Sequence, residues 1–427
     1  TSAVALATAL NADCCEIYTD VEGVMTTNPR EVKDAQLMQT LSCDEMLELA
    51  SLGAEVLHPR AVELARNYGV NLVVRSSWSD NSGTTLTSQT KRQLGREGLE
   101  LGKPVDGVEL IEQQSVVGIA NIPDKPGIAA ELFETLSKKG LNVDLIIQAT
   151  HAGNSNDITF TLSNKEIKLA QDVCEQFISK VGGEITAQTG MSKLSIHGAG
   201  IMGRPGIAAN LFETLSRAGI NLRLIATSEV KVSCVFESEL GSKGLRSVSD
   251  SFELNENQIH INPIEEDKGE PPVRGIALDQ NHAVLSVRKV PDEPGTAASL
   301  CSALAESGIS LEAIVQSERK HKDGSRDISF TLKKDSKEKA LNSLSALMSK
   351  WPNTTLDIGP EIARLSAVGA GMPFTAGTAG KMFRALANEN INIKMIATSE
   401  IRTSCLISIK DGNQALKAVH NIFKLGE

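Results

Sequence analysis

The sequence predicts an α/β protein in which a partial α/β domain, residues 1–90, precedes four βαββαβ units arranged as two tandem pairs. Three observations predict this. First, the segment PDKPGIAAELFETLSKKGLNVDLIIQAT at 123–150 returns at 204–229, 291–318 and 375–400. Second, its turn glycines, Gly127, Gly206, Gly295 and Gly377, lie 79, 89 and 82 residues apart, yet Gly127 to Gly295 is 168 and Gly206 to Gly377 is 171. The pair was therefore duplicated as a pair. Third, helical and strand patterns alternate through the first ninety residues, as in a mainly parallel sheet.

Element by element, Thr1-Ser2 can cap a helix over Ala3–Leu10, and Glu16–Thr19 reads as a short strand before the polar loop 19–30. Residues 41–69 read as two helices broken at Gly53 and at His58-Pro59. Residues 71–77 form a strand and Ser79–Gly83 a turn. Two or three strands are too few for an independent sheet, so the chain reads as beginning partway through a domain. A polar connector follows, 91–104 at its core.

Each repeat has a strand, a turn ending in glycine, a helix and a second strand. The first helix places Ile128, Leu132 and Leu136 on one face. Gly140, Gly219 and Gly308 close the helices, and Asn390 takes that place in the fourth, being the other residue that tolerates a left-handed end. A polar turn at His151–Asn156, a strand at 157–163, a helix at 165–181 and a strand at 183–189 complete the ferredoxin-like order. Repeat four stops after its second helix and lacks its last strand. The strands VDGVEL (105–110) and VRGIAL (273–278) precede repeats one and three, and Gly107 to Gly275 is again 168. Each is expected to fill the gap in the second module of its pair, so that the first module is inserted within the second; an edge would otherwise stay open. QIHINPI (258–264) competes for that place in repeat two. The divisions are 105–114 and 115–190 for the first completing strand and module one, 191–254 for module two, and 255–272 for a hinge. They continue with 273–282 for the second completing strand, 283–360 for module three and 361–427 for module four.

A net charge of −10, a pI near 5.4 and 3% aromatic residues give nucleic acid or an anionic membrane little to bind. No apolar run approaches the roughly 20 residues of a membrane-spanning helix. Seven scattered cysteines without a Cys-x-x-Cys pair suggest neither zinc nor a disulfide framework, and point to a reduced compartment.

CEIYTDVEGVMTTNPREV (15–32), GAEVLHPRAVELA (53–65) and VRSSWSDNSGTTL (74–86) resemble the second half of the catalytic domain of the aspartate kinases, which belong to the amino-acid-kinase family. In that family this half holds the nucleotide, whereas the amino-acid site and the phosphate-contacting lysine lie mostly in the other. The resemblance places Thr19 and Asp20 at the adenosine side and Arg30 toward the phosphates, with Gly53–Pro59 helping to close the site. An arginine beside a Thr/Asn-rich loop suits phosphoryl transfer, which is mainly positioning and charge neutralisation. On the residues alone, the plainer reading is that Arg30 is a solvated loop residue and Asp20 a turn former. Met25 stands where an aromatic is common, and Glu55 where many relatives carry a base. The family's Lys-Phe-Gly-Gly and Gly-Gly-Ser-Asp motifs are absent from these residues, so catalytic residues are expected upstream of Thr1.

The units of 105–427, with Pro-Asp-x-Pro-Gly after the first strand, resemble ACT modules, which bind amino acids where two modules pair. An amino-acid ligand needs backbone donors and an acceptor. Turns ending at Gly127 and Gly295, with Lys125, Ile128, Glu293 and Thr296, supply the first at a helix N-terminus. Asp124 or Asp157, and Asp292 or Asp327, supply the second, and Gln148 and Gln316 reach the ligand's side chain. The alternative for Asp124 and Asp292 is helix capping. The resemblance adds Asn221-Leu222 and Asn392-Ile393 from the even modules, across the pair interface. Modules two and four have Ala226 and Ala397 at or beside the glutamine position, and are expected to form interfaces rather than complete sites. His197 and His282 read as ordinary strand or loop residues.

The resemblance implies an ATP-dependent aspartate kinase making 4-phospho-L-aspartate, with Mg2+ accompanying ATP and no resident cofactor or metal. It also implies lysine and threonine as effectors, a place in lysine, threonine and methionine synthesis, a homo-oligomer joined through ACT modules, and a cytoplasmic or plastid-like location. The alternative is a catalytically silent, amino-acid-sensing chain that partners a separate kinase chain.

Overall fold

The computed structural model describes residues 1–53, 56–88, 103–150, 155–199, 201, 204–263, 266–316 and 320–427. Glu55, most of the 91–104 connector and most of the 151–156 turn lie outside the described residues.

The first region is helix α1 (Ser2–Ala9), strand β1 (Cys14–Thr19), β2 (Thr40–Ser42), α2 (Cys43–Ser51), α3 (Pro59–Tyr68), β3 (Asn71–Ser76) and β4 (Thr84–Thr87). The sheet order is β1-β3-β4-β2, with β1 parallel to β3 and β2 parallel to β4, while β3 and β4 run antiparallel. Among the described residues four strands thus stand where two or three were expected. The two extra ones are three and four residues long, too short to show alternation in the sequence. Ser42 and Glu45 form a capping box that starts α2, and His58 caps α3 ahead of Pro59.

The repeat region begins with one long strand, β5 (Gly107–Pro123), then α4 (Ile128–Lys138), β6 (Ile146–Thr150), β7 (Ser155–Ser163), α5 (Ile167–Val181) and β8 (Glu184–His197). Next come α6 (Ile207–Arg217), β9 (Leu224–Thr227), β10 (Lys231–Glu237), α7 (Gly241–Ser251) and β11 (Ile259–Ile261). The second pair repeats this as β12 (Gly275–Val290), α8 (Thr296–Glu306), β13 (Ala313–Gln316), β14 (Arg326–Lys333), α9 (Lys337–Met348) and β15 (Thr355–Ile358). It ends with β16 (Ile362–Val368), α10 (Thr378–Asn388), β17 (Met395–Ser399), β18 (Arg402–Ser408) and α11 (Gly412–Ile422).

Strands β5 and β12 each serve two modules. Gly107–Ile111 pairs with the module-two half of β8 (Lys193–His197), and Val116–Ala120 with its module-one half. Likewise Gly275–Asp279 pairs antiparallel with β16 of module four (Gly275 opposite Val368), while Ala283–Val287 pairs with β14 and Leu285–Arg288 with β15. The short strand β11 from QIHINPI also pairs, parallel and outside, with Val108–Leu110. Both candidates for repeat two are therefore used, on successive edges.

The modules do not meet as sequence neighbours alone. Strand β17 of module four pairs with β6 of module one, Ile396 opposite Gln148. At the other end, Ile314 N–H donates to Thr227 Oγ1, so β13 of module three meets β9 of module two. Helix α4 packs on α10 and α6 on α8. One apolar core joins modules one and four, another joins two and three, and a third, with Val116, Leu224, Val315 and Met395 among its members, draws on all four. The four modules close a ring around that third core. Tandem neighbours are already fused through β5–β8 and β12–β16, so the free edges β6, β9, β13 and β17 remain to join the pairs.

Each module's first helix is entered through a left-handed glycine, with φ of 93°, 101°, 101° and 89° at Gly127, Gly206, Gly295 and Gly377. A side chain there would be strained. Asn390 ends α10 with φ 55°.

Candidate nucleotide and effector sites

A cavity of about 990 Å³ lies between the first region and module four. Thr19, Asp20 and Arg30 all line it, as do Glu22, Met25 and Asn28. Thr19 ends β1, and its carbonyl accepts from Ser77 N–H and Oγ–H, both at 2.8 Å. Its hydroxyl donates to Asp20 Oδ1 at 3.1 Å. Arg30 N–H donates to Asn28 Oδ1, which fixes the turn and leaves the exposed Arg30 side chain at the cavity rim. Gly23, with φ 148°, lets the loop press against the sheet: a Cβ there would meet Thr84 Oγ1 at 2.6 Å. Glu22 accepts from Asn81 Nδ2 and Ser79 Oγ, which hold its carboxyl below the usual range. Of the Gly53–Pro59 stretch, Gly53 and Val56 line this cavity, whereas His58 and Pro59 face another one behind α2. Among the described residues no group of three or more His, Cys, Asp or Glu is placed to hold a metal ion.

Sequence reasoning missed the opposite wall. It is the completing strand of module four, Ile276 to Asn281, with Asn413 and Leu416 of α11. Thr26 ties the two sides together. Its carbonyl accepts from Ile276 N–H at 2.8 Å, and its hydroxyl lies 3.0 Å from His420 Nε2. The duplicated VRGIAL strand was the available signal for this wall, read only as a completing strand.

The two odd-module sites are assembled across the tandem pairs, not within them. In the first, Asn392 Nδ2 of module four donates to Asp124 Oδ1 at 2.6 Å, Asn156 Nδ2 to the same oxygen at 2.9 Å, and Gln148 Nε2 to Ile393 O at 2.8 Å. Lys125, Gly127, Ile128, Gln148, Asn392 and Ile393 line this site, which encloses only about 10 Å³. In the second, Asn221 Nδ2 of module two donates to Asp292 Oδ1 at 3.0 Å and Gln316 Nε2 to Leu222 O at 3.1 Å. Asp292, Glu293, Gly295, Thr296 and Gln316 line it, around about 20 Å³. Helices α4 and α8 have no side-chain cap bond, so Asp124 and Asp292 do not cap them; their carboxylates face the partner module instead.

Asp157 and Asp327 are placed differently. Each accepts, at 3.0 Å, the backbone N–H of a left-handed residue at a strand irregularity, Asn121 (φ 60°) and Lys289 (φ 56°). Neither lines its site. Two residues not singled out in the sequence do: Arg326, 1% exposed with Nε 3.0 Å from Asp292, and its counterpart Asn156. Burial opposes the Asp292 carboxylate, but Lys320 (2.7 Å), Asn221 and Arg326 hold its carboxyl below the usual range.

Counting from the closing glycine, the even-module equivalents of Gln148 and Gln316 are Thr227 and Thr398, one place beyond Ala226 and Ala397. Thr398 Oγ1 accepts from Ile146 N–H at 2.7 Å, and Thr227 Oγ1 from Ile314 N–H at 3.2 Å. These threonines join the modules. His282 is more than a strand residue: it is 1% exposed and bonded to Glu312, with Asp279 3.4 Å away. Burial alone would lower its pKa; the two carboxylates raise it. His197 Nδ1 lies 2.8 Å from Asp106 Oδ1. All seven cysteines are free thiols, and among the described residues no helix is long and apolar enough to cross a membrane.

Both parts of the chain resemble known domains. Residues 1–76 match the amino acid kinase family, and ACT domains match at 115–176, 194–252, 283–347 and 365–423. A crystal structure of aspartate kinase from Synechocystis is 46% identical with a TM-score of 0.91, the match covering 100% of this chain and 74% of that one. An aspartokinase of Thermus thermophilus is 40% identical over 257 residues, 60% of this chain and 62% of that protein. Aspartokinase 2 of Bacillus subtilis is 40% identical over 258 residues, 60% and 61% of the two chains. The match thus spans about 62% of the length of these curated relatives.

Proposed function

Since this chain belongs to the aspartate kinase family, we propose that it supplies the nucleotide side and the regulatory half of an enzyme transferring phosphate from ATP, with its Mg2+, to L-aspartate, giving 4-phospho-L-aspartate. The observation that carries this is the 990 Å³ cavity on which Thr19, Asp20 and Arg30 converge. The Arg30 guanidinium neutralises phosphate charge, and the β1 end and the Asn28 turn position the nucleotide.

The odd-module sites take amino-acid effectors of the aspartate-derived group, lysine and threonine, the lysine at the module one–four site. The assignment follows from charge. Asp292 already faces Lys320 at 2.7 Å and Arg326 at 3.0 Å, whereas Asp124 faces Lys394 only at 3.8 Å and two neutral asparagine amides. A second ammonium fits better beside Asp124. Homo-oligomer formation through the ACT modules belongs to the same reading.

Calorimetry tests both parts. Arg30→Ala should weaken ATP binding about tenfold, the loss of one charge-assisted contact. Gln148→Ala should weaken lysine and spare threonine, and Gln316→Ala the reverse. Unchanged ATP affinity in Arg30→Ala would remove the nucleotide reading; both variants affecting the same amino acid would remove the effector assignment.

A further inference from the structure

The duplication carries one glutamate twice, as Glu229 and Glu400, 171 residues apart. Their surroundings differ. Glu400 is met by Lys231 at 2.5 Å and Lys193 at 3.3 Å. The counterparts of those lysines are Arg402 and Arg364, but Arg402 Nη1 is taken by Glu48 of α2 at 2.7 Å. Glu229 Oε1 is left 3.6 Å from Arg402 and accepts no hydrogen bond from the described residues, although the residue is only 7% exposed.

Glu229 lines a cavity of about 500 Å³ between α2–α3 of the first region and modules two and three. At another part of its lining α6 begins, at Gly206, with no side-chain cap on its first-turn N–H groups. Arg204 stands beside that turn, with Nη2 3.0 Å from Glu63. Apolar side chains, Leu47, Ile201 and Leu311 among them, fill the wall between. A buried acceptor without a hydrogen bond, a positive helix end with an arginine, and an apolar wall together match a zwitterion.

We propose that this cavity is a third amino-acid site, binding the ammonium of a free α-amino acid at Glu229 and its carboxylate at the α6 N-terminus beside Arg204. It differs from the two odd-module sites in touching the first region directly. Glu48 accepts Glu229 N–H through Oε1 at 3.2 Å, and Leu49 of α2, with Leu52 just after its end, lines the nucleotide cavity. A ligand drawing Glu229 toward itself therefore acts on the helix that walls the nucleotide. The equivalent cavity at Glu400, about 300 Å³, holds the same glutamate already neutralised by two lysines.

The test is calorimetric titration of the chain with each proteinogenic L-amino acid, in a Gln148→Ala/Gln316→Ala background that weakens the other two sites. At least one amino acid should still bind at one per chain. Adding Glu229→Gln, or separately Ala305→Phe, should weaken it tenfold or more. Ala305 Cβ lies 4.0 Å from where a Cβ on Gly206 would sit, so a phenylalanine there plugs the cavity without touching the ion pairs. No binding in the double-alanine background overturns the proposal while leaving the odd-module sites standing. Binding indifferent to Ala305→Phe overturns it as well, even if Glu229→Gln fails to fold.

Discussion

Equivalent side chains in this chain have been put to opposite uses, and Glu229 and Glu400 show it most directly. Burial pushes the Glu229 carboxyl up to about 7, because Arg402 and Arg364 only partly offset the desolvation and the nearby Glu48 and Glu312 add to it. Burial acts on Glu400 in the same sense, but Lys231 and Lys193 overcome it and bring that carboxyl down to about 2. The stability consequences have opposite sign. Glu229 contributes stability that is full below pH 4.5, its ordinary value, and is lost as pH rises through 7. Glu400 contributes stability that is full above pH 4.5 and is lost as pH falls toward 2. In urea titrations, Glu229→Gln should therefore gain stability relative to the parent as pH rises from 4.5 to 7, by up to roughly 3 kcal/mol. Glu400→Gln should lose most above pH 4.5 and approach the parent on acidification. Parallel pH profiles for both variants would contradict the assignment.

At the scale of elements, the joints between modules depend on short polar contacts at strand edges. Thr398 accepts the N–H of Ile146 where β17 meets β6, and Thr227 does the same for Ile314. Replacing either by valine keeps the shape and leaves a buried N–H without that acceptor. The expected cost is about 1–3 kcal/mol in urea unfolding, and Thr398→Val should loosen modules one and four while sparing two and three. Hydrogen exchange at β6 and β17 distinguishes the two joints. The repeat itself was legible in the sequence because glycine at a left-handed helix entry has few substitutes, as was Asn390 at a helix end. The completing strands were legible because VDGVEL and VRGIAL recur 168 residues apart ahead of the two pairs. The partners across the ring were not. Asp124 and Asn392 are 268 residues apart, and periodicity carries no information about which free edge meets which. Arg326 escaped notice for a related reason: its counterpart in module one is Asn156, so the repeat did not mark it.

At the scale of the whole molecule, the duplication is broken where the first region docks. Lys231 pairs with Glu109 of its own module pair at 2.5 Å. The residue 168 positions after Glu109 is Ala277, which carries no charge, and Arg402 finds its carboxylate in Glu48 of α2 instead. The first region thus supplies the carboxylate that stands in for Glu109 in the second pair, and both partners are buried, 0% and 1% exposed. Arg402 Nη2 also donates to Thr227 O of module two at 3.1 Å, so one side chain touches three parts of the molecule. Removing only the cation strands Glu48, and Arg402→Met should destabilise by about 3–5 kcal/mol. Arg402→Met/Glu48→Met removes both charges and should recover part of that loss, the rest staying with Glu229 and Thr227, which lose their contacts to the pair. The double variant then separates stability from communication. Any effect of lysine on ATP affinity must be matched by the effect of ATP on lysine affinity, and α2 offers the shortest covalent path from this ion pair to the candidate nucleotide cavity. If the pair transmits the signal, the refolded double variant binds ATP and lysine each as tightly as the parent does alone, but neither affinity responds to the other ligand. A double variant whose ATP affinity still shifts with lysine as in the parent would confine Glu48 and Arg402 to a structural role.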